Sequence, residues 1–189
     1  MKIRNGFVSN SSSSSFVVAL PHKPKGQHDL QHMMFGTQNV HYIDSCYAEE
    51  PGKNEIETYR IAETVFNKIK KKATKSEIIK AIRDGYFDSY IDERICPGNY
   101  DIMEDPEWKE AHQLKNDDSE YYKKMNKLYK KANDINNERA TKIAELFTKR
   151  NKNKYFVVMV FCDNNSSFEA ALEHTNIFNR LENIQTNYH

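Results

Sequence analysis

The sequence predicts an α+β fold: a small sheet with central strands near residues 16–20 and 155–162, and a charged helical insertion at about 54–150 between them. Three observations carry this expectation. Phe16-Val17-Val18-Ala19-Leu20 and Tyr155-Phe156-Val157-Val158-Met159-Val160-Phe161-Cys162 are compact apolar runs rich in β-branched and aromatic residues. Between them, apolar residues recur at three- and four-residue steps in a charged background, as in helices that bury one stripe. The length of 189 residues fits a single domain, 1–189, with the helices as an excursion inside it.

Taken in order, the first run is stopped by Pro21 and reads as a buried strand, followed by a loop broken by Pro24 and Gly26. If Gln27 to Phe35 is helical, His28 and His32 share a face. Val40 to Ile43 reads as a second strand. A helix is expected from near Asn54, with Ile56, Tyr59, Ala62, Phe66 and Ile69 on one face. Thr74 and Glu77 form a capping box for the next helix. Ile78, Ile79 and Ile82 supply its apolar face, and Gly85 is its stop. Cys96-Pro97-Gly98-Asn99 is a turn, and Asp105-Pro106 starts a helix, with Asp as cap and Pro in the first helical position.

The longest helix is expected from about Ser119 to Arg150. Its apolar stripe comprises Tyr122, Met125, Tyr129, Ala132, Ile135, Ile143, Leu146 and Phe147. The stripe breaks at Asn136-Asn137-Glu138, where a bend or a projection from the body is expected. The run 155–162 is apolar on both faces, which predicts a central strand paired with 16–20 and chain ends that lie close together. A polar turn from Asp163 to Ser167 and a short helix follow, with Phe178, Leu181 and Ile184 spaced as an anchor face.

Charged residues are 29% of the chain, yet the formal net charge is only +1, which argues for a protein partner over nucleic acid. The local run Lys68, Lys70, Lys71 and Lys72 reads as a solvated helix face. Cys46, Cys96 and Cys162 are isolated and odd in number, so neither a zinc ribbon nor a disulfide framework is implied and a reducing compartment fits. No apolar run is long enough to span a membrane, and Lys2 and Arg4 precede no signal-peptide core, so no membrane association is expected. The Walker, dinucleotide, His-Glu-x-x-His, EF-hand and Gly-x-Ser-x-Gly patterns are all absent.

Two segments could carry chemistry. Asn10, Ser11, Ser12, Ser13, Ser14 and Ser15 precede the first strand. Such a stretch is ordinarily a flexible linker, but here it would join only ten residues to a buried strand. It could instead hold an anion such as phosphate, or be a target for covalent modification. Near the other end, Asp163, Glu173, His174 and His189 offer oxygen and nitrogen ligands suited to zinc or another divalent metal, although their spacing matches no ligand motif. Taken alone, His174 is an ordinary hydrogen-bonded residue. His22, His28, His32 and His41 form a loose cluster without acidic or cysteine ligands beside it.

Lys2-Ile3-Arg4-Asn5-Gly6-Phe7-Val8-Ser9-Asn10, followed by Ser11 to Ser15 and Phe16, resembles the opening shared by a family of proteins from large tailed phages and some bacteria. Leu172-Glu173-His174, the Phe178-x-x-Leu181 step and the final His189 are similar to that family's ending, except that Thr175 stands where the family often has Gly. The resemblance brings no activity with it. It implies that the serine segment and the Glu-His segment meet, and that the chain works in a host cytoplasm.

The expected function is that of a phage-encoded accessory protein binding a host or phage macromolecule, with the charged helices as added contact surface. One alternative is a small metal-dependent hydrolase of a phosphate ester, with the four C-terminal ligands holding the metal and the serine loop holding the phosphate. Another is a virion structural protein.

Overall fold

The structure is a computed structural model that describes residues 13–43, 54–84, 86–87, 105–112, 119–162 and 167–188. Its four-stranded antiparallel sheet is built from β1 (Ser13–Leu20), β4 (Tyr86–Phe87), β5 (Tyr155–Cys162) and β6 (Glu182–Tyr188), in the order β4-β6-β1-β5. β1 pairs along its whole length with β5, Ser13 opposite Cys162 and Leu20 opposite Tyr155. On its other side it pairs with β6, Ser13 opposite Tyr188 and Ala19 opposite Glu182. The fold is α+β.

Strand alternation sends successive side chains of β1 to opposite faces. Phe16, Val18 and Leu20 join Val157, Met159 and Phe161 on one face. Helices α1 (Gln27–Phe35), α2 (Thr58–Lys68) and α6 (Ser167–His174) cover that face through Leu30, Met34, Ile61, Val65, Ala171 and Leu172. Val17, Ala19, Phe156 and Ile184 form the other face. It is covered by α3 (Lys75–Asp84) through Ile78, Ala81 and Ile82, and by α5 (Ser119–Arg150) through Ala140, Ile143, Ala144 and Phe147. Phe16 is the hub of the first layer, with its ring 5.6 Å from Phe161 and 5.3 Å from Phe178. Burying a side chain of this kind stabilises by about 1.5–3 kcal/mol.

The sheet differs from the sequence expectation in one respect. β5 is not central: among the described residues the only strand it pairs with is β1, and it ends the strand order. Its apolarity on both faces reflects helices above and below it, whereas its place in the hydrogen-bonding order is set by β6. That strand was not expected. Its sequence, Glu-Asn-Ile-Gln-Thr-Asn-Tyr, is polar apart from Ile184 and Tyr188, and Phe178, Leu181 and Ile184 read only as an anchor face. Phe178 and Leu181 instead flank a tight turn, with Leu181 N–H donating to the Phe178 carbonyl at 2.9 Å, and Ile184 sits opposite Val17.

A second, two-stranded sheet pairs β2 (Val40–Tyr42) with β3 (Glu55–Glu57), so the helix expected from Asn54 begins only at Thr58. α2 buries Thr58, Ile61, Ala62 and Val65, a face rotated from the expected one, and Tyr59 is exposed. Thr58 is fully buried and fixes this corner: its hydroxyl donates to the Gln38 carbonyl at 2.7 Å and accepts from Gln31 Nε2 at 2.8 Å. α1 ends at Gly36, whose φ of 65° is the only left-handed φ among the described residues. There the Arg180 guanidinium donates to the Phe35 carbonyl at 3.1 Å, in space a β-carbon on Gly36 would occupy.

The capping box of α3 forms in both directions. Thr74 N–H donates to Glu77 Oε2 at 2.8 Å, and Glu77 N–H donates to Thr74 Oγ1 at 3.2 Å. α4 (Pro106–His112) starts as expected, with Glu107 N–H donating to the Asp105 carboxylate at 3.0 Å. α5 is helical without a break for 32 residues, about 48 Å at 1.5 Å per residue, and no residue of Asn136-Asn137-Glu138 leaves the helix. The gap in its stripe marks a change of packing partner. Met125 and Leu128 pack on Ala111 of α4, whereas Ala140 to Phe147 pack on the sheet and α3. Tyr122, Tyr129 and Leu146, placed in the expected stripe, are exposed. Gly85, Cys46, Cys96 and the turn at 96–99 lie outside the described residues. Cys162 is a free thiol, and no helix among the described residues is long and apolar enough to cross a membrane.

Candidate functional site: Ser14 and Glu173 between the chain ends

The serine run enters the fold as strand rather than loop, because Ser13, Ser14 and Ser15 continue the ladder of β1 opposite Cys162, Phe161 and Val160. Strand alternation then separates neighbours. Ser14 faces the layer that holds α6, and Ser15 faces α3; they are 2% and 1% exposed, so neither hydroxyl is presented to solvent.

α6 brings Glu173 to Ser14. The helix buries Phe168, Ala171 and Leu172 against the first layer, and Glu173 at its C-terminal end is only 1% exposed. The Ser14 hydroxyl donates to Glu173 Oε1 at 3.2 Å across 159 positions of sequence. β6 adds a second hold, with Gln185 Nε2 donating to the backbone carbonyl of Glu173 at 3.2 Å. Gln185 lies opposite Phe16 and therefore on the same face as Ser14. The other carboxyl oxygen, Oε2, is buried with no hydrogen-bond partner among the described residues. A carboxyl buried at a helix C-terminus also faces the unfavourable end of the helix dipole.

α6 ends without a left-handed residue. Thr175 is buried, and its hydroxyl donates to the Ala171 carbonyl at 2.7 Å, satisfying one of the helix's terminal acceptors. At its N-terminal end, α6 is tied to α2 by Lys68, whose ammonium lies 3.0 Å from Glu169.

Of the candidate metal ligands, only Glu173 and His174 lie among the described residues. They are adjacent on α6, with Glu173 buried and His174 exposed. Asn10, Ser11, Ser12, Asp163 and His189 lie outside the described residues, as does the side chain of Ser13. Among the described residues no three His, Cys, Asp or Glu side chains are grouped to hold a metal ion. The loose histidine cluster is dispersed. His28 packs on Tyr59 at 5.1 Å, His32 Nδ1 lies 3.3 Å from the Gly36 carbonyl, and His22 Nδ1 is 3.6 Å from Asp29. His41 lies 5.5 Å from Phe35, and burial pushes its pKa below the usual 6.5. The lysine run is not a helix face, since Lys68 ends α2 while Lys70, Lys71 and Lys72 belong to the connection to α3.

Sequence reasoning missed Gln185. Its signal was the alternation of Ile184 and Thr186 with Gln185 in β6, a period of two inside a polar segment. Comparison of the chain with protein-family models, with curated proteins and with solved structures finds no match.

Proposed function

We propose that the chain is an accessory binding protein, phage-encoded as its opening and ending imply, that engages a host or phage protein in the host cytoplasm. Its binding site is the end of the sheet where the serine segment meets Glu173 and His174. The observation that carries this reading is the Glu173 carboxyl, buried with one oxygen unpartnered among the described residues. An apolar side chain of similar size would cost the fold less. Buried polar groups kept at such a cost are characteristic of functional positions. In this reading Glu173 is a positioning residue. With Ser14 and Gln185 it fixes the last turn of α6 on the sheet and so sets where the exposed His174 stands. The near-neutral net charge of +1 favours a protein partner over nucleic acid. Tyr122 and Tyr129, seven apart on α5 and 56% and 55% exposed, supply a second surface of the kind partners use.

The test is quantitative affinity capture from infected cells, with the wild-type chain and the Ser14→Ala/Glu173→Leu variant as parallel baits. The reading expects a specific protein enriched by the wild type about tenfold over the variant, a difference of about 1.4 kcal/mol in binding. Identical capture by both baits, or no enriched protein at all, rejects it.

A further inference from the structure

On the sheet face opposite Glu173, a cleft of about 320 Å³ lies between the edge of β5, α3 and the α2–α3 connection. Two ties bound it. Ala73 N–H donates to the Phe156 carbonyl at 2.8 Å, and Lys68 Nζ donates to the Val160 carbonyl at 3.3 Å. Val158, Val160, Ala73 and Ala81 give the cleft an apolar floor, and Ser15 of the serine run lines it from β1. Lys68, Lys70, Lys71 and Lys80 stand around it with two carboxylates, Glu77 and Asp84.

The charge count is informative. Four lysines against two carboxylates leave a surplus of two positive charges. Glu169 beside Lys68 and Arg83 beside Asp84 are one negative and one positive charge, so they leave that surplus unchanged. The lysines also differ in freedom. Lys68 is held by the Val160 carbonyl and Glu169, a pre-set donor. Lys71 and Lys80 are 68% and 69% exposed in their pairs with Glu77 and Asp84, and exposed pairs of this kind contribute little to stability, so both can turn to an incoming anion. Lys70 makes no hydrogen bond or ion pair among the described residues. The volume is that of a small-molecule pocket, at the lower end of about 300–1,000 Å³.

We infer that this cleft binds a small phosphate monoester, its dianionic phosphate against the lysines and its organic body on the Val158–Val160 floor. The surplus charge matches the dianion, and the apolar floor between the ties gives the remainder of the ligand a surface to cover.

Calorimetric titration of the full chain with AMP, adenosine and inorganic phosphate tests this, using the wild type, Lys70→Gln/Lys71→Gln and the control Lys149→Gln/Lys152→Gln. All four lysines are exposed, so both double variants keep the fold, and circular dichroism verifies it. AMP is expected to bind saturably at one site and to be displaced by inorganic phosphate, with adenosine at least about tenfold weaker. The Lys70/Lys71 variant is expected to lose about tenfold in AMP affinity and the control to lose none. Absence of saturable AMP binding in the millimolar range overturns the inference. So does adenosine binding as tightly as AMP, AMP that phosphate does not displace, or an equal loss in the control variant.

Discussion

Removing the Ser14 hydroxyl leaves the buried Glu173 carboxyl without its one side-chain donor among the described residues. The Ser14–Glu173 distance of 3.2 Å is long for an O–H···O bond, whose usual range is about 2.5–3.0 Å, so the lower part of the roughly 1–3 kcal/mol penalty for leaving a buried polar group unsatisfied applies. Ser14→Ala is therefore expected to cost about 1.5 kcal/mol. For a chain of this length that lowers Tm by about 3–6 °C. Glu173→Leu on the Ser14→Ala background removes the half-satisfied carboxyl and adds apolar contact beside Leu172 and Phe16, so the double variant is expected to recover to wild-type stability or above it. Urea unfolding of the wild type, both single variants and the double variant closes the cycle. The reasoning fails if Ser14→Ala lies within about 0.3 kcal/mol of the wild type, a margin comparable to the additivity error of distant sites. It fails equally if the double variant is less stable than Ser14→Ala alone.

Three further outcomes are expected. Glu77 is pulled from 4.5 to about 2 by the Lys71 ammonium and then by the Thr74 N–H and hydroxyl. A depressed folded-state pKa gives stability that is present above 4.5 and lost as pH falls towards about 2; acid titration of Glu77→Gln should show that part of the slope removed. His41 shifts in the same direction for a different reason: burial disfavours its charged form, so the unfolded chain takes up the proton more readily and stability falls as pH drops below 6.5. Thermal melts of His41→Leu between pH 5 and 8, about the range in which histidine titrates, should lack that component. Gly36→Ala should cost about 1–3 kcal/mol, because φ is 65° there and the new methyl meets the Arg180 guanidinium. Adding Arg180→Ala should relieve the clash but not the backbone strain, and calorimetric Tm values for both variants check this.

Much of the plan was legible because it rests on local physics. The runs 16–20 and 155–162 are apolar enough to require burial, and that they pair with each other was legible from their being the two comparable runs, whereas the antiparallel sense came from the structure. The Thr74–Glu77 box, the Asp105-Pro106 start and the bounds of α5 depend on neighbouring residues alone, and all are found in place. The faces of α2 and α5 were legible only in part. Tyr59, Tyr122 and Tyr129 fit a helical period, but their rings reach solvent once smaller residues such as Ala62, Ala140 and Ala144 take the close-packed positions. Periodicity shows that a stripe exists, but the width of the gap between helix and sheet selects which residues fill it.

By itself, the sequence determined the α+β class, the two long apolar strands, the helical stretch between them and the starts of α3, α4 and α5, because each follows from propensity, capping and burial demand within a short window. Tertiary structure alone decided that β1 takes the interior place between β5 and β6. The same pairing sent Ser14 to Glu173 and Ser15 to the lysine cleft. The physical reason is long-range pairing: a polar strand such as β6 carries little local signal, and its register against β1 sets which residue of each strand faces which layer.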